Sequence, residues 1–143
     1  YREPLIDRAS TLPNLTFEGF VPPDEIDRHY RDAVALLNTS EYEGFPNTFL
    51  EAWRYGVPVV SLNGVLDGVL EREEIGVRAG SMDELERALR ALWNDRERAE
   101  VMGAAGRRYL REAYALDVVA SAYAEVFAEA MGDEASRPAA VAT

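Results

Sequence analysis

In Glu41-Tyr42-Glu43-Gly44-Phe45-Pro46-Asn47-Thr48-Phe49-Leu50-Glu51 a glycine turn gives way to the start of a helix. The apolar run Val34-Ala35-Leu36-Leu37 leads in, a helical pattern leads out as far as Tyr55 and stops at Gly56, and a second apolar run, Val57-Pro58-Val59-Val60-Ser61-Leu62, follows. That order reads as strand, turn, helix, strand, with acids on both sides of the turn. The first amides of a helix have no partner inside it and carry the positive end of the helix dipole, so a helix start behind a glycine turn is an anion site. Carboxylates beside such a site repel a bare phosphate, yet a carboxylate accepts two hydroxyls at once. The combination points to a phosphate joined to sugars.

Outward from this centre, strands and helices alternate. Residues 15–20 alternate like a short strand, and Pro22-Pro23 breaks the run. Asp24 is placed to cap a helix through Ala33, with Ile26 and Tyr30 on one face and Asp27, Arg28 and Arg31 on the other. Residues 34–38 form an apolar strand of the buried, parallel type. The helix over residues 47–55 and the strand over 58–62 come next, then a loop over 63–74 punctuated by Gly64 and Gly68, then a short strand over 75–78. Ser81 and Glu84 make a capping box that opens a helix with the apolar stripe Leu85, Ala88, Leu89 and Leu92. Two further helical stretches, residues 96–114 and 116–131, precede a stretch rich in alanine and proline over 133–143 that reads as a disordered tail. The fold class expected is α/β with a parallel sheet, in which ligands sit at the carboxyl ends of the strands. The segment from Glu43 to Glu51 and the loop after Leu62 converge on that edge.

Composition narrows the function. A chain of 143 residues with 48% hydrophobic and 29% charged residues supports one globular domain with a core. It has no cysteine and a single histidine, His29, which leaves no thiolate or imidazole cluster for a metal. No apolar run approaches the roughly 18 residues of a membrane span, and the opening Tyr1-Arg2-Glu3-Pro4 has no signal-peptide pattern, so a cytoplasmic location is expected. The net charge is -11 and all 15 basic residues are arginine. Such a balance disfavours nucleic acid and direct binding or insertion at an anionic membrane. The missing lysine fits a GC-rich genome, a halophilic cytoplasm, or both.

These residues resemble the C-terminal half of the retaining glycosyltransferases of the GT-B fold, family 4 (glycosyl transferases group 1). The resemblance is carried by Glu43-Gly44-Phe45-Pro46-Asn47-Thr48-Phe49-Leu50-Glu51-Ala52 and Gly56-Val57-Pro58-Val59-Val60. It extends to Phe17-Glu18-Gly19-Phe20-Val21, to Gly76-Val77 and to the final helices, covering residues 12–130. It implies a three-layer α/β/α, Rossmann-like donor-binding domain over residues 1–132, N-terminally truncated, with C-terminal helices. It also implies roles. Glu43 holds donor-sugar hydroxyls near the anomeric centre, where positive charge develops. Glu51 binds the nucleotide ribose, and Asn47 shares its helix face. Amides after Gly44 and Phe45, those of Asn47, Thr48 and Phe49, cradle the diphosphate, and Val21 approaches the base. The donor is UDP- or GDP-linked and serves as substrate, with no metal and no other cofactor. The implied partners are that nucleotide-sugar and a missing N-terminal acceptor domain, and an exposed sheet edge invites a second copy. The resemblance further implies a parent enzyme peripheral at the cytoplasmic membrane face, transferring a hexose to a glycan or lipid-linked acceptor. The 143 residues alone are expected to be inactive.

Plainer roles stand beside these. Glu43 can be a solvated acid, Glu51 a favourable charge in the helix's first turns, Asn47 an N-cap, and Phe45 and Phe49 packing residues. His29 reads as an exposed helix residue, Arg107 and Arg108 as a solvated face, and Tyr109, Tyr114 and Tyr123 as core or interface. The sequence also departs from the family. The usual arginine–lysine pair has no counterpart, and where many members carry Gly-Gly-x-x-Glu this chain reads Asn63-Gly64-Val65-Leu66-Asp67-Gly68. The rival readings are a nucleotide-sugar epimerase, a non-catalytic nucleotide-binding or interaction module of the same fold, and a receiver-type domain. The last lacks an acidic cluster at its strand ends.

Overall fold

A computed structural model describes residues 2–40, 44–62 and 68–135. Glu43, the loop residues 63–67 with Asp67, and residues 136–143 of the tail expected over 133–143 lie outside the described residues, while residues 133–135 are not tail but the end of the last helix. The chain forms two compact units, residues 1–32 and 33–143.

The first unit carries two helices, α1 (Arg2–Ser10) and α2 (Ile26–Asp32). α1 lies ahead of the elements read from the sequence, and its Pro4 sits in the first turn, where proline is tolerated because the N–H it lacks would have no partner. α2 begins one residue later than an Asp24 cap implies: Pro22 O accepts from the N–H groups of Glu25 and Ile26 at 3.0 and 3.1 Å and takes the capping role. The expected strand over residues 15–20 is not formed. The alternation is real, but a strand exists only where a ladder partner takes its backbone groups; here Leu15, Phe17 and Phe20 stay exposed and the backbone is irregular. Within α2, Tyr30 is buried and Asp27 meets Arg31, as the two-faced pattern implies. His29 is half-buried and accepts from Arg28 Nε at 3.4 Å rather than standing fully exposed.

The second unit holds the sheet. Strands β1 (Leu36–Asn38), β2 (Val59–Leu62) and β3 (Gly76–Ala79) run parallel in the order β1-β2-β3. The register pairs Leu36 with Val59 and Gly76, and Asn38 with Ser61 and Arg78. β1 is shorter than the apolar run suggests, since Val34 and Ala35 pack into the core before the ladder starts. Side chains alternate across the sheet. Val60, Leu62 and Ala79 turn to one face, where Leu85, Leu92 and Ala99 from α5 (Met82–Asn94) and α6 (Arg96–Ala113) cover them. The opposite face carries Gly76, where a Cβ would run into Val59 O and crowd Leu70 of α4 (Val69–Arg72), and Arg78, which pairs with Glu71 at 3.4 Å. The result is a parallel α/β sheet with helices on both faces.

Helix ends follow their sequence signals. Ser81 Oγ accepts from the Glu84 N–H at 3.3 Å, and Glu84 Oε2 accepts from the Gly80 N–H at 2.7 Å. The box therefore closes one residue further out than its usual form. α3 (Asn47–Tyr55) ends at Gly56, φ 72°, where the Gly56 and Val57 N–H groups return to Trp53 O and Ala52 O. This is a Schellman stop, and the left-handed φ is why glycine occupies it. α6 crosses α3 closely there: a Cβ on Gly103 would run into Gly56 O, and one on Gly106 into the Trp53 ring. Arg107, expected on a solvated face, donates from Nη2 to Tyr55 O at 2.8 Å. The last helix, α7 (Leu116–Ala135), leaves Tyr123, Val126, Phe127 and Met131 exposed on one apolar side. No helix among the described residues is long and apolar enough to cross a membrane.

Candidate donor-binding site

The geometry of the site follows from β1 and the chain that leaves it. β1 ends at Asn38, whose Oδ1 accepts from the Ser40 N–H at 3.0 Å and turns the chain off the sheet. Three residues further on, past the undescribed 41–43, the backbone passes Gly44 and Phe45 to reach α3. A Cβ on Gly44 would meet nothing within 4 Å, so the turn is open on that side.

α3 starts on Pro46, which is buried, adopts an extended φ of -71° and provides no side-chain cap. Asn47, expected as an alternative N-cap, instead occupies the first helical position, because the extended residue is the proline before it. The Phe49 N–H turns back on Pro46 O at 3.0 Å, and the Phe49 ring is fully buried. Of the three amides expected to cradle a diphosphate, Phe49's is thus already engaged, and those of Asn47 and Thr48 precede it at the helix start. Asn47, Thr48 and Glu51 are exposed, with Asn47 and Glu51 one turn apart on one face. Val21 lies in the irregular part of the first unit and is half-buried.

Sequence reading passed over two polar groups at this sheet edge. Asn38 Nδ2 and Ser61 Oγ are buried, have no partner among the described residues, and belong to register-paired positions of β1 and β2. Ser61 is wholly inaccessible. Buried hydrogen-bonding groups without partners are uncommon, and these lie at the strand ends where such sheets bind ligands. Only the sheet register, not local sequence, brings them together.

Rings brace the turn. The Phe45 ring lies 5.1 Å from that of Tyr114, Tyr114 lies 5.8 Å from Tyr109, Tyr109 meets Trp53 edge-on at 5.6 Å, and Trp53 meets Phe49 at 5.9 Å. Trp53 is fully buried and donates from Nε1 to Ile75 O at 3.1 Å. The Tyr114 hydroxyl is pushed up to about 12 from its usual 10, first by burial and then by its hydrogen bond and charge interaction with Tyr109. A separate hollow, lined in part by Glu71, Glu74, Arg78 and Arg98, lies beside β3 at the far edge of the sheet from β1. Among the described residues no group of three or more His, Asp or Glu side chains is placed to hold a metal.

A parallel sheet with helices on both faces defines an α/β domain, and comparison with known proteins gives its family. The family described as "Glycosyl transferases group 1" matches residues 2–109, and the chain belongs to that family. It is 33% identical over 134 residues to the GDP-mannose-dependent alpha-(1-6)-phosphatidylinositol monomannoside mannosyltransferase of Mycobacterium tuberculosis, covering 87% of this chain and 34% of that protein. A shorter match, 45% identity over 40 residues, joins it to the lipopolysaccharide 1,6-galactosyltransferase of Salmonella typhimurium, covering 28% of this chain and 11% of that protein. In three dimensions it is similar to sucrose-phosphate synthase from Thermosynechococcus elongatus, with a TM-score of 0.77 over 92% of this chain, 34% of that chain and 21% identity. At that identity the likeness establishes the GT-B fold alone. The chain thus spans about a third of the length of the mannosyltransferase it resembles.

Proposed function

We propose that this chain is the donor-binding part of a retaining, metal-independent glycosyltransferase that moves a hexose from a nucleoside diphosphate to a glycan or lipid-linked acceptor. The observation that carries the reading is the start of α3: an open glycine turn, no side-chain cap, and Asn47 and Glu51 exposed on one face at the carboxyl end of β1. A diphosphate gains from the Asn47 and Thr48 amides and the helix dipole. A ribose diol gains from the Glu51 carboxylate, which accepts both hydroxyls. Glu43, immediately before the turn in sequence, is assigned the donor sugar. A carboxylate near the anomeric carbon stabilises the positive charge that grows there as the diphosphate departs.

The relatives suggest which donor to try first. One is named as GDP-mannose-dependent and as acting on a phosphatidylinositol mannoside, another as acting on lipopolysaccharide. We therefore assign GDP-mannose as the first donor to test and a lipid-linked or glycan acceptor, bound by the remainder of such a protein at the cytoplasmic membrane face. On this reading the chain by itself binds donor weakly and does not turn over.

Ligand-observed NMR with GDP, UDP, ADP and their sugar conjugates, at moderate and high salt, tests this. We expect one nucleotide to bind selectively and Glu51→Ala to weaken it about tenfold or more, the scale of a charge-assisted hydrogen-bond pair. Equal binding of all three nucleotides, or binding that ignores Glu51→Ala, would remove the assignment.

A further inference from the structure

We propose that Tyr114, at the corner between α6 and α7, is a positioning residue for the donor-binding turn: its ring holds Phe45 and so sets where the α3 amides point. The inference rests on the donor-site reading for its functional meaning, but the contact it invokes is independent of any ligand.

Among the described residues the turn has few other anchors. Gly44 has open space around it, and the start of α3 has no side-chain cap. Pro46 is buried and fixes one end, while Phe45, 37% exposed, is the residue between them. Its described ring partner is Tyr114, at 5.1 Å and 41°. A ring contact of that kind stabilises beyond area burial and so favours one conformation of an otherwise open turn.

Tyr114 can serve as an anchor because it is itself held from two sides. Its backbone N–H caps α6 by donating to Leu110 O at 3.0 Å, and its ring lies 5.8 Å from that of Tyr109. Tyr109 in turn stands edge-on against the buried Trp53, and Trp53 stands edge-on against Phe49. The ring series leaves the α3 start at Phe45 and returns to its first turn at Phe49. The series thus ties Phe45, just before α3, through Tyr114 and Tyr109 to Trp53 and Phe49 of α3, and Asn47 and Thr48 lie between Phe45 and Phe49 in sequence. Small errors of aim at such a site are costly: a misplacement of about 1 Å can cost on the order of a hundredfold.

The test compares wild type, Tyr114→Ala and Tyr114→Phe as full 143-residue chains by amide NMR without ligand, followed by titration with GDP. In Tyr114→Ala the Gly44, Phe45 and Asn47 amides should shift and their fast backbone mobility should rise, while Val60 and Val77 in the sheet stay unchanged; Tyr114→Phe, which keeps the ring, should restore the wild-type pattern. GDP affinity should fall at least about tenfold in Tyr114→Ala and return in Tyr114→Phe. Unmoved turn amides, shifts spread evenly through the sheet, or an unchanged GDP affinity in Tyr114→Ala would each overturn the proposal. Should Tyr114→Ala not fold, Phe45→Leu removes the same ring contact from the exposed side and must show the same turn-confined shifts. Failure of wild type to bind GDP, UDP or ADP would overturn the donor-site reading, while the amide comparison decides the brace on its own.

Discussion

Trp53 shows how one residue ties the site to the core. Its indole fills the space between α3 and α6, and its Nε1–H meets Ile75 O just before β3. Trp53→Phe keeps an aromatic ring but removes the donor and leaves a void. We expect a loss of about 2 kcal/mol, combining a forfeited buried hydrogen bond with a small cavity. A urea midpoint unchanged from wild type at constant m-value would refute this. Tyr114 makes a second residue-level prediction. Its folded-state pKa lies above the unfolded one, so the folded state holds the phenolic proton more tightly. Stability from this group is therefore intact below pH 10 and declines as pH rises towards 12. With no lysine or cysteine in the chain, tyrosines dominate that window. Tyr114→Phe should flatten the alkaline fall in melting temperature, and an equally steep fall would disprove the assignment. Asn47 and Glu51 were legible in sequence because their spacing alone puts them on one helix face. Tyr114 was not, because nothing local marks a tyrosine whose partner comes from another helix.

At the scale of elements, the α3–α6 crossing is the joint on which the site depends. Gly103 and Gly106 let the α6 backbone approach Gly56 and Trp53 more closely than any side chain allows. Gly103→Ala raises intrinsic helix propensity by about 1 kcal/mol, but its methyl would collide with a backbone carbonyl that cannot rotate away. Overpacking of this kind costs typically about 1–3 kcal/mol, and sometimes more. We expect net destabilisation by at least about 1 kcal/mol in thermal melts, and stabilisation would show that the helices are not in close contact. Ser81→Ala, which removes the cap of α5, should cost about 1 kcal/mol. The elements readable in advance were those with punctuation: α3 ends where a left-handed glycine was expected, and α5 begins on its capping box. α4 escaped because four residues are too short for a period to register. The run at residues 15–20 misled for the opposite reason, since it has a strand's period and no ladder to join.

For the whole molecule, charge is the dominant fact. A net charge of -11 carried on 143 residues repels itself in the folded state more than in the expanded one. The ion pairs at hand are exposed, among them Arg90 with Glu86 and Arg28 with Glu25, and pairs of that kind stabilise by well under about 1 kcal/mol. Screening should therefore help more than it harms. The screening length falls from about 10 Å at 0.1 M salt to about 3 Å at 1 M, which removes most long-range repulsion while leaving the buried core untouched. We expect the melting temperature to rise by several degrees between 0.1 and 1 M sodium chloride. Chloride is preferred to sulfate because sulfate also strengthens apolar burial and would confound the reading. Replacing the exposed acids Glu100, Glu125 and Glu129 with glutamine should raise the low-salt melting temperature and shrink the response to salt. The same field acts on the ligand. On the proposed donor-site reading, a nucleoside diphosphate approaching an acidic surface is repelled at long range and attracted only at the helix start. Its affinity should accordingly rise with salt, the reverse of an ordinary phosphate site built on arginine and lysine. A melting temperature and a GDP affinity that both fall with salt would mean that local cation–anion pairs, not net repulsion, govern this molecule.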